Sequence, residues 1–119
     1  MGKRRRGTAI VEREEGILLT AMKDGVFVLP GGGAEEDESR FRAAIRELEE
    51  ETYLQAHSAK ILFRHESYHH QHTVVYIEAR GVPKPRNEVQ TIAYYKPGKK
   101  LKLSQGTVDI LAKYLQQES

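Results

Sequence analysis

The chain has 119 residues, 39% of them hydrophobic and 30% charged, with a formal net charge of +2. That length and balance predict one folded domain over residues 1–119 and exclude a disordered chain. Cysteine is absent, which removes disulfides, thiolate zinc centres and cysteine nucleophiles.

The first residues are basic, KRRR at 3–6, and are followed by TAIVEREE, which meets charge again after four residues. No signal peptide is predicted, no run approaches a membrane span, and a cytoplasmic location is the default expectation. Residues 8–14 and 16–23 read as paired strands joined by a turn ending in Gly16. Asp24-Gly25 marks a second turn, residues 26–29 a short apolar strand, and PGGG at 30–33 its end. The acids Glu35, Glu36, Asp37 and Glu38 then precede a helix over 39–52, with Ser39 as N-cap, and favour its positive end. Phe41, Ala44, Ile45 and Leu48 recur at helical spacing and define its buried stripe.

Two strands follow, 59–68 and 73–80, joined by HHQH at 69–72. Pro83 and Pro85 make 81–87 a loop. Residues 89–96 read as another strand, turned by Pro97-Gly98. A closing helix over 105–116 has Ser104 as N-cap and Val108, Leu111 and Leu115 as its inner stripe. The expected architecture is α/β, a mixed sheet between two helices.

The first helix carries a conflict. RELEEET at 46–52 crowds glutamates into a helix C-terminus, where negative charge is disfavoured. Glu47, Glu50 and Glu51 share one face at i, i+3 and i+4, and without a counter-charge they would raise one another's pKa. A divalent cation resolves the repulsion, and oxygen-only ligands select Mg²⁺ or Mn²⁺ over zinc or copper. Such ions complete their shells with phosphate oxygens, so the cluster points to phosphoryl chemistry. Taken alone, ELEEE reads as a solvated helix face, and GGG matches neither a Walker loop nor a dinucleotide fingerprint.

The longer pattern is more specific. Gly32, five residues, Glu38, seven residues and then RELEEETYL give Gly32, Glu38, Arg46, Glu47, Leu48, Glu50, Glu51 and Leu54 at fixed spacing over 32–54. This resembles the motif of the Nudix hydrolases, and the preceding LPGG, the flanking strands and the closing helix extend the resemblance across the chain. The resemblance implies a Nudix-type α/β/α sandwich and a metal-dependent pyrophosphohydrolase acting on a nucleoside diphosphate linked to another group. It implies that Glu47, Glu50 and Glu51 bind Mg²⁺ or Mn²⁺ with the Gly31 carbonyl, and that Arg46 orients a glutamate. Glu38 would steady the loop and helix. Glu47, Glu50 and Glu88 are the general-base candidates. One position departs: Tyr53 stands where the family has Gly, which puts the helix end in question while leaving the ligands in place.

Other residues are weaker candidates. Arg6 and Lys23 are placed to meet phosphates, Phe27 to stack on a base, and Gly32 and Gly33 to let backbone approach a ligand. The HESYHHQH segment reads as a polar hairpin turn rather than a transition-metal site. The expected partner is a phosphorylated small molecule, a nucleoside triphosphate first. Dinucleoside polyphosphates, ADP-ribose, inositol polyphosphates and capped RNA stay open, no membrane contact is expected, and a nucleic acid is not favoured. A binding module without hydrolysis is the alternative, and retention of three repelling acids argues against it.

Overall fold

The central strands bury both faces, and this organises the molecule. In the computed structural model, which describes residues 2–118, β1 (Arg4–Ile10), β2 (Glu12–Arg13) and β3 (Gly16–Ala21) begin the chain. β4 (Phe27–Val28), β5 (Gly31–Gly33) and α1 (Arg40–Thr52) follow, then β6 (Gln55–Glu66), β7 (His70–Arg80), β8 (Thr91–Tyr95) and α2 (Gln105–Glu118). Side chains alternate with the pleat. Ala9, Leu18, Val75 and Ile77 join Ala44 and Leu48 of α1 in one cluster. Ile10, Ile17, Leu19 and Val74 join Ile110, Leu111 and Tyr114 of α2 in the other. Strands covered on both sides read as continuous apolar runs, as AIV and ILL do here.

One sheet has the order β5-β1-β7-β6, and in the other β3 is flanked by β2 and β4 on one edge and by β8 on the other. β1 and β7 are parallel, whereas β1–β5 and β6–β7 are antiparallel. The fold is therefore a mixed-sheet layer between two helices, as the sequence predicts.

Several boundaries differ from the sequence reading. β1 begins at Arg4, so the basic arm is a strand, pairing Arg4, Arg5 and Arg6 with His70, Gln71 and His72. The glycines after Pro30 form β5, with Gly32 opposite Gly7. Gly7 is small for a reason: a Cβ there would strike the Arg40 carbonyl oxygen and the Ala44 nitrogen, so α1 lies directly on β1. His70 and His72 belong to β7, and the hairpin tip is 67–69. In α2 the inward residues are Thr107, Ile110, Leu111 and Tyr114, whereas Val108 is 41% exposed. Val108 stands one position round from the true stripe, because Thr107 turns inward to bond with the strand layer.

Candidate active site

The site begins with the ends of α1. Ser39 Oγ accepts from Arg42 N at 3.1 Å and fixes the helix start. At the other end Tyr53 adopts the left-handed conformation, φ 65°, and its N–H donates to the Glu49 carbonyl at 3.2 Å. Tyr53 thus keeps the geometry that favours glycine, at a cost of about 1–2 kcal/mol. The Arg86 guanidinium lies 4.6 Å from its ring centroid and offsets part of that cost.

Helix ends leave carbonyls without partners. Here the loop between β7 and β8 supplies them. Lys84 N donates to the Thr52 carbonyl at 3.0 Å and Asn87 Nδ2 to the Glu50 carbonyl at 3.1 Å. Val89 is buried, and Gln90 N donates to the Ala21 carbonyl at 2.9 Å. These anchors bring Glu88 to the acidic face of α1. Glu47, Glu50, Glu51 and Glu88 line one open cleft of about 560 Å³ with Met22 and Asn87.

Each acid has its own environment. Glu51 is 8% exposed and accepts from Gly31 N at 3.1 Å. Burial pushes its carboxyl up to about 7, with Glu47 adding to the rise and the Gly31 N–H opposing it. Burial also raises Glu47, against the pull of Arg46. The Glu47 carboxylate lies over the α-carbon of Gly32, where a Cβ would collide with it. Arg46 Nη1 donates to Glu47 Oε1 and Glu50 Oε1, both at 2.8 Å. Its other nitrogens hold Glu38 in a two-pronged pair, also at 2.8 Å. That pair draws the Glu38 carboxyl down to about 2. Arg46 Nη2 also donates to the Gly33 carbonyl at 3.2 Å, so one guanidinium joins the helix to β5. Glu49 Oε2 accepts from Ala56 N at 2.9 Å. Among the described residues, Glu88 makes no side-chain hydrogen bond or ion pair.

Arg6 feels the charges of Glu51 and Glu47 and lines a second cleft. Its Nη2 donates to the Leu29 carbonyl at 3.2 Å and lies beside Gly31. Burial lowers the Arg6 pKa, while Glu51 and Glu47 pull it back up. Arg6 also lines a cleft of about 390 Å³ with Val28, Leu29, His72, Gly106 and Ile110. His72 is buried there between hydroxyls, with Nδ1 2.7 Å from Thr8 Oγ1 and Nε2 3.1 Å from Ser67 Oγ. Burial, followed by the nearby Arg6 charge, pushes its pKa down to about 3.

The remaining candidates separate. Lys23 is exposed and lines neither cleft. Phe27 packs against the α2-side core, and Val28 faces the 390 Å³ cleft in its place. Among the described residues, no three acidic or histidine side chains stand close enough to hold one ion as they lie. The cause is visible: Arg46 draws in Glu47 and Glu50, and Glu51 turns to the Gly31 amide. The donor set is nonetheless all oxygen on one helix face, with a buried acid whose ionised form needs a cation beside it, and it fits a hard divalent ion. Sequence reasoning missed Met22, Asn87 and Thr8. Only Asn87 carries a local signal, as a turn residue tolerant of positive φ, here 56°.

A family model for the NUDIX domain matches residues 2–112. The chain belongs to the Nudix family. It is a Nudix hydrolase, in a family whose members generally use divalent metals such as Mg²⁺ or Mn²⁺. A Nudix hydrolase family member from Chromobacterium violaceum is 39% identical, with 97% of this chain and 78% of that one covered and a TM-score of 0.90. An ADP-ribose pyrophosphatase from Streptococcus suis shares the fold at 20% identity, with a TM-score of 0.79 and coverage of 98% and 92%. A bifunctional NMN adenylyltransferase/ADP-ribose pyrophosphatase from Francisella tularensis, complexed with AMP and a manganese ion, is 19% identical, with a TM-score of 0.75 and coverage of 98% and 42%. No curated protein matches the chain. No helix among the described residues is long and apolar enough to cross a membrane.

Proposed function

We propose that residues 1–119 form one Nudix domain that hydrolyses the diphosphate of a nucleoside triphosphate-type substrate with Mg²⁺ or Mn²⁺. The observation that carries this reading is the meeting of Glu47, Glu50, Glu51 and Glu88 around one cleft. Glu47, Glu50 and Glu51, with the Gly31 carbonyl, would hold the ion. Once bound, it offsets phosphate charge and makes water more acidic. Arg46 keeps Glu47 and Glu50 oriented through charge-assisted hydrogen bonds. Glu88 is the acid left free by Arg46 and by the backbone, and it serves as general base, taking a proton from the attacking water. Arg6 meets the phosphate that leads away from the acids, and the 390 Å³ cleft beyond it receives the nucleoside. Gly32 and Gly33 present backbone to the phosphates.

The deciding experiment is a substrate panel with Mg²⁺ and with Mn²⁺, its products identified by mass. Cleavage between phosphates that stops in chelator and returns with metal is the expected result. Full activity in excess chelator would remove the mechanism.

A further inference from the structure

A sheet edge exposes backbone groups that pair with another chain unless the edge is guarded. The edges of this fold are guarded unequally. β6 carries two register shifts, between Ala56 and Ser58 and between Ile61 and Phe63, and is charged at Lys60, Arg64 and Glu66. β2 and β4 have two residues each, and β5 has three. β8, TIAYY, has five, with no charge, proline or glycine, and it pairs with β3 in unbroken register. Among the described residues, its outer edge pairs with no strand. Ile92 and Tyr94 pack on one core cluster and Tyr95 on the other, so the strand is held firmly while that edge stays open.

Two features identify what pairs there. The first is the strand's own sequence. When two copies of β8 meet antiparallel about Ala93, the smallest residue lies on the axis. Ile92 then faces the partner's Tyr94, and Thr91 faces the partner's Tyr95. A β-branched residue opposite an aromatic one is a favourable cross-strand pair. The second feature is charge. The same two-fold sets the end of one β8 beside the start of the other. That start, Thr91, lies opposite Ala21 and so next to Met22 of the acid cleft. Immediately after β8 the chain turns, with Lys99 N donating to the Lys96 carbonyl at 3.0 Å, and Lys96, Lys99 and Lys100 are exposed. Among the described residues, these three lysines make no side-chain hydrogen bond or ion pair. A basic turn of one copy thus stands at the rim of the other copy's acid cleft.

We infer that the chain forms a two-fold dimer through β8, and that the turn at 96–100 of each copy supplies lysines to phosphates held at its partner's acid cleft. Such an interface uses the same patch on both copies and closes on itself. The dimer stands apart from the pyrophosphohydrolase reading, whereas the role of the lysines rests on it.

The chain has no cysteine, so introduced cysteines report the register. Ala93→Cys should cross-link to itself with a short thiol-to-thiol reagent, because directly opposite Cβ atoms lie about 5 Å apart. Thr91→Cys alone should not, since the two-fold sets its copies about 13 Å apart, but it should cross-link when mixed with Tyr95→Cys. Sedimentation velocity at tens of micromolar should give a dimer for wild type and a monomer for Ala93→Lys, which places like charges on the axis. Circular dichroism checks that this variant folds, and the exposed Thr91→Lys gives a second disruption. A monomeric wild type, or cross-linking of Thr91→Cys alone but not of Ala93→Cys, overturns the dimer. The shared site is tested by mixing Glu50→Gln with the triple variant Lys96→Ala, Lys99→Ala and Lys100→Ala. Each alone should hydrolyse a nucleoside triphosphate with Mg²⁺ several-fold more slowly than wild type. Mixed dimers restore one site with intact acids facing intact lysines, so activity should rise several-fold above either parent. No rise, with dimers still present, overturns the role of the lysines and leaves the dimer standing. If wild type hydrolyses nothing, the hydrolase reading fails and the role of the lysines with it, and the cross-links still decide the dimer.

Discussion

Gly32 lacks a side chain where the Glu47 carboxylate lies, so a Cβ there meets a flexible side-chain end rather than backbone. Gly32→Ala should therefore displace the acid while sparing the fold. Stability is expected to change by no more than about 1–2 kcal/mol by denaturant titration. Turnover should fall about 100-fold, because displacing a ligand by an ångström has that order of effect. A large loss of stability would mean that the collision is relieved through the backbone. Tyr53 makes the opposite case. Tyr53→Gly relieves about 1–2 kcal/mol of left-handed strain but loses the Arg86 stacking and adds unfolded-state entropy of about 0.5–1 kcal/mol. The net change in unfolding free energy should stay within about 1 kcal/mol, with steady-state activity nearly intact. Both residues stand inside the 32–54 motif, yet the spacing says only that they are positioned. The carboxylate over Gly32 and the ring under Arg86 depend on residues far away in the chain.

At the scale of elements, the β7–β8 loop answers the conflict at the end of α1. The acidic turn faces the cleft, while Lys84 and Asn87 bond to its last carbonyls. Asn87→Ala removes one such bond and places Ala at positive φ, with a cost of about 1–2 kcal/mol expected in thermal or urea unfolding. Glu88 would be less well held, and kcat should fall about tenfold with KM little changed. An unchanged kcat would show that the loop anchor does not position the base. The helix itself was legible, because Ser39, the apolar stripe and the acids are local signals. The strand character of 4–7 was not, since RRRG has no apolar alternation and becomes a strand only by pairing with β7. The glycines of β5 read as a loop for the same reason. Of the α2 stripe, Leu111 and Leu115 pack on the core as read, and only Val108 was misplaced, because Thr107 is polar by type yet is buried through its bond from Leu29 N at 3.3 Å.

At the scale of the molecule, metal, acid and stability are linked. Glu51 is pushed to about 7 in the fold, above its ordinary 4.5. A raised carboxyl stabilises the native state below its unfolded pKa, and that contribution is lost as pH rises through the folded value. In chelator, the stability of wild type relative to Glu51→Gln should therefore decline from pH 4.5 to 7, by ~3 kcal/mol at most. Added Mg²⁺ should reverse the trend, because an ion binds the ionised acid. Urea titrations across that range check both signs, and a flat difference would show that Glu51 does not feel its burial. The chemistry of the acid face follows from sequence alone: once the helix forms, spacing of three and four puts Glu47, Glu50 and Glu51 on one side. Which groups meet that face did not follow. Glu88 is drawn in by a loop anchored on helix carbonyls, Arg6 by a parallel strand pairing across more than sixty residues, and Lys23 and Phe27 are carried elsewhere. Those contacts join segments remote in sequence, and only the packing of both sheet faces against the two helices brings them together.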